Sequence, residues 1–412
     1  MADTYKPMFN RTYLKVLLWI VAIAIVFLSA SGRDTNRYLN IEKTENKPVY
    51  FTEPDDAEIL SVQMIFGLGP ALSDEHKLLH KLLSRRLQNV LISPSVTRLL
   101  SPVQASLQQT LQDDRLTLLF STRTTDTDQL NQLLPQLLQA LNNSDITTAT
   151  DAEWNRLKAE LYLENQTAEN RLLSAFTGTL SDTSSVHPLQ RFPAWARNIF
   201  SNHNLTLVIS GPDAAAAARI LAEDLPSQEL ARQTLSTPAS FQQRQTLPTI
   251  GNEAYALAGL SLPGRQSDTF MAQLIAVKSL QQTLPALQPD VSTRLLWKSL
   301  DQQGYFALLL YGQRPPADTS ALTQLNRRLL EATDSSVISA TRDSIKESFL
   351  ERMSEQQAQL GLLNTLAFYR LPTDYISEFA DRLADTSDEA VLDQLQTMLN
   401  TNNQQFFYLP AR

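Results

Sequence analysis

Cysteine is absent from this 412-residue sequence, and glycine and histidine are scarce, with 11 and 4 residues. Without cysteine the chain forms no disulfide, no thiolate metal site and no cysteine nucleophile. The low glycine content argues against a glycine-rich nucleotide-binding fold, and no Gly-x-Ser-x-Gly elbow of a serine hydrolase is present. Imidazole chemistry is therefore restricted to His76, His80, His187 and His203.

The charge balance is acidic, with 35 Lys and Arg against 43 Asp and Glu and a formal net charge of -8. A general nucleic-acid partner is not expected, because such a binder needs a basic face that replaces counterions. Hydrophobic residues make up 43% of the chain, which is enough for ordinary cores and excludes a disordered protein. A chain of this length indicates two domains or three.

The one long apolar run lies near the N-terminus, where residues 16–30 read VLLWIVAIAIVFLSA. With its flanks, the segment 13–32 predicts a transmembrane anchor after a tail over 1–12, and a cleavable signal peptide is the alternative. Both interpretations export the globular part. The anchor places it on the periplasmic side of a bacterial inner membrane, and cleavage would leave it secreted or periplasmic. The absence of cysteine is compatible with a bacterial envelope protein.

Beyond a polar linker at 33–48, two similar halves follow each other, at 49–226 and 251–412, with a Gln/Ser/Thr-rich linker at 227–250. Each half predicts strands and long helices and ends on an apolar strand, which indicates an α+β fold with two homologous mixed-sheet domains. Within them we expect long helices over 151–180 and 339–368. A further helix is expected over 291–302, ending at the C-cap residue Gly304.

One constellation carries chemistry, on the helix predicted over 74–88 with Ser73 or Asp74 as its N-cap. His76 and His80 are four residues apart and share a helix face, so both imidazoles can point at one ion. Two histidines and a carboxylate form a catalytic zinc set whose fourth position holds water. A general base must then accept a proton from that water.

At these residues the chain resembles the insulinase/pitrilysin-type zinc peptidases, the inverzincins, whose signature is His-x-x-Glu-His followed by a glutamate ligand on a later helix. The helix around Lys158 resembles the one that carries this ligand, so the resemblance implies His76, His80 and Glu160 as metal ligands. Glu153 and Glu164 remain alternatives for the third ligand. The segment that begins at His187 is similar to the His-Pro-x-Gly-Arg turn of the family.

The departures from the family pattern concern catalysis. Leu79 occupies the position of the general base and cannot accept a proton, and Glu75 is a weak substitute one turn away, about 5.4 Å along the axis. In the second domain, the positions of a substrate-holding Arg and Tyr fall on Leu300 and Ala307 when Gly304 is placed on the family glycine. Tyr305 and Arg294 lie nearby, out of register.

The resemblance implies a peptidase-like subunit without catalytic activity. It would pair with a homologous active zinc peptidase chain, or with a second copy, to form a chamber that encloses peptides. The expected cofactor is none or one zinc ion. Lys77 and Lys81 would repel a cation, and if no zinc is bound the histidine pair is a relic of the family's metal site. One alternative is an active membrane-anchored zinc metalloendopeptidase using His76, His80 and Glu160. Another is an envelope scaffold without peptide binding.

Overall fold

The computed structural model describes residues 38–412 except 56, 124–126, 143–144, 182–185, 224, 228–243, 250, 288–290, 313 and 354. The expected tail at 1–12 and membrane segment at 13–32 lie outside the described residues. Within the described part of the chain, no helix is long and apolar enough to span a bilayer.

The first half forms a six-stranded mixed sheet in the order β1-β2-β6-β3-β5-β4, in which only β2 and β6 pair in parallel. Its strands are β1 (Glu42–Lys43), β2 (Val49–Thr52), β3 (Leu60–Gly67), β4 (Ser106–Leu111), β5 (Arg115–Thr122) and β6 (Leu205–Ser210). Its helices are α1 (Asp74–Leu91), α2 (Pro94–Leu100), α3 (Thr127–Asn142), α4 (Asp151–Glu164), α5 (Ala168–Thr179), α6 (Pro188–Ile199) and α7 (Ala214–Glu223).

The second half forms a five-stranded mixed sheet in the order β7-β11-β8-β10-β9, with β7 and β11 parallel. Its strands are β7 (Arg244–Thr246), β8 (Ala254–Pro263), β9 (Val291–Ser299), β10 (Gln303–Gly312) and β11 (Gln405–Leu409). Its helices are α8 (Phe270–Leu287), α9 (Thr319–Ala332), α10 (Ser335–Met353), α11 (Gln356–Phe368), α12 (Phe379–Asp385) and α13 (Asp388–Leu399).

The two sheets repeat one topology. The spatial order β2-β6-β3-β5-β4 corresponds strand for strand to β7-β11-β8-β10-β9. In each set of five, the strand that comes first along the chain pairs in parallel with the strand that comes last, β2 with β6 and β7 with β11. The α+β class with two mixed sheets is thereby confirmed. The parts of the expected linkers that are described include β1, within 33–48, and β7, within 227–250, and each lies at a sheet edge.

The prediction of a helix over 291–302 is wrong, because this segment contains the edge strand β9, paired antiparallel with β10. Thr293, Leu295 and Trp297 alternate along it, and the last two pack against the core under α8, so the period is that of a strand. Gly304 ends no helix. It lies where the β9–β10 hairpin turns so tightly that a Cβ would come 2.3 Å from the Lys298 carbonyl oxygen.

The two long helices are each divided. Residues 151–180 form α4 and α5, and the Thr167 hydroxyl between them accepts a hydrogen bond from the Asn170 backbone N–H, which starts a new helix. Residues 339–368 are likewise shared by α10 and α11. Apolar periodicity alone did not reveal these breaks, because the pattern resumes directly after each one.

Each half contributes one helix to the sheet of the other half. Helix α5 lies on the second sheet, where Leu172 and Phe176 join a core cluster with Leu257, Leu309 and Phe407. Helix α11 lies on the first sheet, where Leu363, Leu366 and Ala367 pack with Tyr50, Ile65 and Val208. Both sheets are thus covered on both faces, which explains why central strands such as β6 are buried at every position.

Gly259 on β8 tests this exchange, because a Cβ there would come 2.7 Å from Phe176 of α5 and 2.8 Å from the Phe306 carbonyl oxygen. We expect Gly259→Ala to lower the free energy of unfolding by about 2 kcal/mol, since the fully buried Phe176 ring of α5 and the backbone carbonyl of Phe306 both resist displacement. Urea unfolding of the purified protein measures the change. Gly178→Ala, in α5 with no atom within 4 Å of the added Cβ, is the control and should not destabilise the protein. Equal behaviour of the two variants would contradict the close packing of α5.

Candidate functional site

Helix α1 presents one face to the core of the first half. Ser73 caps it, and its hydroxyl accepts a hydrogen bond from the His76 backbone N–H at 3.2 Å. Leu79, at the position where the general base was expected, is 2% exposed and packs within that core. A leucine fits this place because its apolar side chain is removed from water. The position offers no group that accepts a proton.

Glu75, the weak substitute expected for the base, is held in an ion pair. Its carboxylate pairs with the Arg191 guanidinium on α6, and both side chains are more than two-thirds buried. The carboxylate is therefore engaged in a contact between helices.

The two histidines have different surroundings. The Nδ1 of half-buried His76 lies 3.1 Å from the Ser73 hydroxyl and 3.2 Å from the Ser181 hydroxyl. His80 is 3% exposed and stacks on Trp195 of α6, with ring centroids 5.9 Å apart, and its Nδ1 has no hydrogen-bond partner among the described residues. Burial, aided by the neighbouring His76, lowers the pKa of His80 to about 4, so its imidazole is neutral at pH 7.

The three glutamates on α4 are each paired with a cation. Glu160 accepts hydrogen bonds from Arg85 at 2.9 Å and from Arg156 at 3.1 Å, and the bond from Arg85 is the main cause that lowers its pKa. The two alternative ligands are paired likewise, Glu164 with Lys81 at 2.6 Å and Glu153 with Arg86 at 3.2 Å. Each candidate third ligand thus binds a basic residue of α1.

These donors do not fit a zinc ion as they are arranged. In the described ranges, no group of three His, Asp or Glu side chains could hold a metal. A metal would have to displace guanidinium or ammonium groups from the carboxylates and approach other positive charges, both of which oppose its binding.

The second-half positions are also without functional groups. Leu300 is 5% exposed, Ala307 is fully buried, and both belong to the core cluster around Phe176. Tyr305 is buried edge-on against Phe176, which raises its pKa to about 12. Arg294 pairs with Glu169 of α5 at 3.0 Å. Leu300 and Ala307 thus offer no polar side-chain group to a peptide backbone.

A buried polar network was missed from the sequence, where residues 113–114 indicate only a turn. Asp114, 2% exposed, accepts a hydrogen bond from Tyr369 at 2.8 Å and pairs with Arg115 at 3.4 Å. Arg115 donates to Asn364 of α11 at 3.1 Å, and Asn364 donates to Gln63 of β3 at 2.7 Å. The network joins residues about 250 positions apart, so no local pattern could reveal it. It ties α11 to the first sheet.

The buried His80 predicts a pH dependence of stability. Its folded-state pKa lies below the ordinary value of 6.5, so the unfolded chain binds the proton more tightly. Above about pH 6.5 His80 does not lower the free energy of unfolding. As the pH falls towards 4, protonation of His80 in the unfolded chain lowers the free energy of unfolding, by about 2 kcal/mol at pH 5. We expect unfolding curves to show a smaller loss of stability between pH 7 and 5 for His80→Phe, which keeps the stacking on Trp195 but cannot be protonated. Identical losses in both proteins would contradict a buried neutral imidazole.

Comparisons with known proteins were made at the level of sequence and of structure. No protein-family model and no curated protein sequence matches the chain. Solved structures do match. The "peptidase M16 inactive domain from Pseudomonas fluorescens" has a TM-score of 0.65 and 13% identity, covering 91% of this chain and 98% of that chain.

Two further solved structures are similar over most of this chain. The periplasmic protease PqqL from Escherichia coli has a TM-score of 0.64 and 17% identity, covering 91% of this chain but 46% of that chain. A chain of complex III2 from Candida albicans has a TM-score of 0.60 and 13% identity, covering 89% of this chain and 95% of that chain. At these identities the likeness establishes the fold. The sequence resemblance is confirmed at that level, and the chain has the fold of the M16 peptidases, the insulinase/pitrilysin type.

Proposed function

We propose that the protein is a non-catalytic, peptidase-like subunit that pairs with an active zinc endopeptidase chain to enclose peptides. The main support for the proposal is that helices α1 and α4 lack a free carboxylate ligand and a general base at the expected positions. Leu79 is buried where the base is required, and Glu160 is bound by two guanidinium groups. Water activation needs both a metal site and a proton acceptor. The helix pair provides neither, while the fold around it is complete.

The comparisons support the two parts of this proposal in different ways. One solved structure is described as an inactive domain of an M16 peptidase, so this fold occurs without activity. This chain spans 46% of the periplasmic protease, so its two domains correspond to about half of a longer peptidase. A half of this kind needs a second half to surround a peptide, and we propose that a separate chain supplies it.

The location is part of the same proposal. The apolar segment within 13–32 would anchor the chain in a bacterial inner membrane, with the globular part on the periplasmic side. Cleavage of that segment would release the same globular part. Either route brings the two domains to peptides outside the cytoplasm.

The absence of catalysis is tested by elemental analysis for zinc and by a quenched-peptide cleavage assay on the full chain. We expect zinc well below one equivalent and no cleavage, because the carboxylates are paired and position 79 is apolar. His80→Ala is the matched control, since it removes one imidazole from the only histidine pair at this spacing in the sequence. Stoichiometric zinc and cleavage that both disappear in His80→Ala would establish the active zinc endopeptidase instead.

The subunit role is tested by mixing the chain with M16-type chains of the same organism that carry an intact His-x-x-Glu-His motif. Light scattering after size-exclusion chromatography should show a one-to-one complex with one of them. The complex should cleave peptides faster than the active chain alone, because the chamber is then closed. If none of these chains binds and none is activated, the envelope scaffold without peptide binding becomes the better explanation.

A further inference from the structure

Helices α1 and α4 run antiparallel and are joined by three ion pairs. Lys81 pairs with Glu164 at 2.6 Å, Arg85 with Glu160 at 2.9 Å and Arg86 with Glu153 at 3.2 Å. All three cations are on α1 and all three carboxylates are on α4. We call this set the ion-pair ladder.

Five of the six carboxylate oxygens of the ladder have a hydrogen-bond or ion-pair partner. In Glu160, Oε2 accepts from Arg85 and Oε1 accepts from Arg156. In Glu164, both oxygens lie 2.6 Å from the Lys81 ammonium group. Oε2 of Glu153 accepts from the backbone and hydroxyl of Thr150 in addition to its pairing with Arg86. A further cation at Glu160 or Glu164 would have to compete with these existing partners.

The ladder is also partly protected from water. The Arg86 and Glu153 side chains are 19% and 30% exposed, and those of Arg85 and Glu160 are 37% and 36% exposed. Pairs that form a network and are partly desolvated contribute more than isolated surface pairs, because solvent and salt screen them less. By comparison, Arg327 and Glu331 on α9 lie 3.8 Å apart and are about 70% exposed.

We infer that the ion-pair ladder, and no metal ion, fixes α1 against α4 in this chain, and that its cations keep divalent metals away from the α4 carboxylates. The two helices pack on the core of the first half, so their relative position determines the shape of that half. Three positive charges within two turns of α1 repel a divalent cation and attract the three carboxylates. The inference deepens the proposed function and rests on it in one respect: a helix pair held together without metal agrees with a subunit that does not catalyse.

A double-mutant cycle on the full chain tests the ladder. Arg85→Met, Glu160→Gln and the double variant remove the charges, with Met retaining most of the aliphatic part of Arg85 and Gln matching Glu160 in length. We expect the folding equilibrium constant to show a coupling of roughly three- to tenfold between the two positions, which weakens as salt is raised towards about 1 M. The same cycle on Arg327 and Glu331 is the control, with a coupling below about twofold.

The role of metal is tested on the same samples by thermal unfolding with excess zinc and with a chelator. The unsubstituted chain should keep its Tm within about 1 °C in both, because a ligand that does not bind the native state cannot stabilise it. A chelator-induced fall in Tm that is absent in His80→Ala would overturn the inference. So would a coupling at Arg85 and Glu160 no larger than that of the control pair.

The two proposals fail in distinguishable ways. Without coupling, and without zinc or cleavage, the ladder inference falls and the non-catalytic subunit stands. Zinc-dependent stability together with cleavage removes both. Coupling in a chain that nevertheless binds zinc and cleaves peptides removes the proposed function and the exclusion of metal, although the ion pairs would still contribute to stability.

Discussion

Helix exchange between the two halves is the constraint on which the rest of the structure depends. Each sheet has its own helices on one face and receives a helix of the other half on the opposite face, α5 on the second sheet and α11 on the first. Strands covered on both faces are buried at nearly every position, as β6 and β10 are. Neither half retains this covering without the other, because removing one half would expose a sheet face of its partner.

The exchange also explains a buried polar network between the halves. Arg115 and Asn364 meet where α11 lies on the first sheet, and Gln63 completes the contact on β3. Apolar contacts alone permit small shifts of a helix along a sheet, whereas hydrogen bonds between buried groups must be made in one register or left unsatisfied. The network therefore fixes the position at which α11 docks. Burial raises the pKa of Asp114 within it, and Arg115 opposes that rise.

The charged and polar side chains of α1 and α4 are the basis for what we propose about catalysis. In the family that it resembles, zinc would join histidines on one helix to a glutamate on the other. Here the glutamates are bonded to Arg and Lys, His80 is neutral and stacked on Trp195, and Leu79 belongs to the core. These glutamate, histidine and leucine side chains make contacts within the folded protein. This arrangement is the basis for proposing a wall-forming subunit.

Much of the architecture follows from patterns that are local in the sequence. The duplicated halves, the α+β class and α1 with its Ser73 cap are set by apolar periodicity and capping residues, which act within a few positions of one another. The apolar Leu79 and the absence of cysteine are likewise direct properties of the sequence. Segment 291–302 marks the limit of such patterns, because Gly304 suits both a helix end and a tight hairpin, and only pairing with β10 decided for the strand.

What only the tertiary structure decided concerns partners that are far apart in the chain. The pairing of Arg85 with Glu160 joins residues 75 positions apart, and the contact of Arg115 with Asn364 joins residues 249 positions apart. The sequence by itself determined that Glu160 is a carboxylate on a helix. The folded chain decided that this carboxylate faces guanidinium groups, because the antiparallel packing of α1 and α4 sets which charges meet.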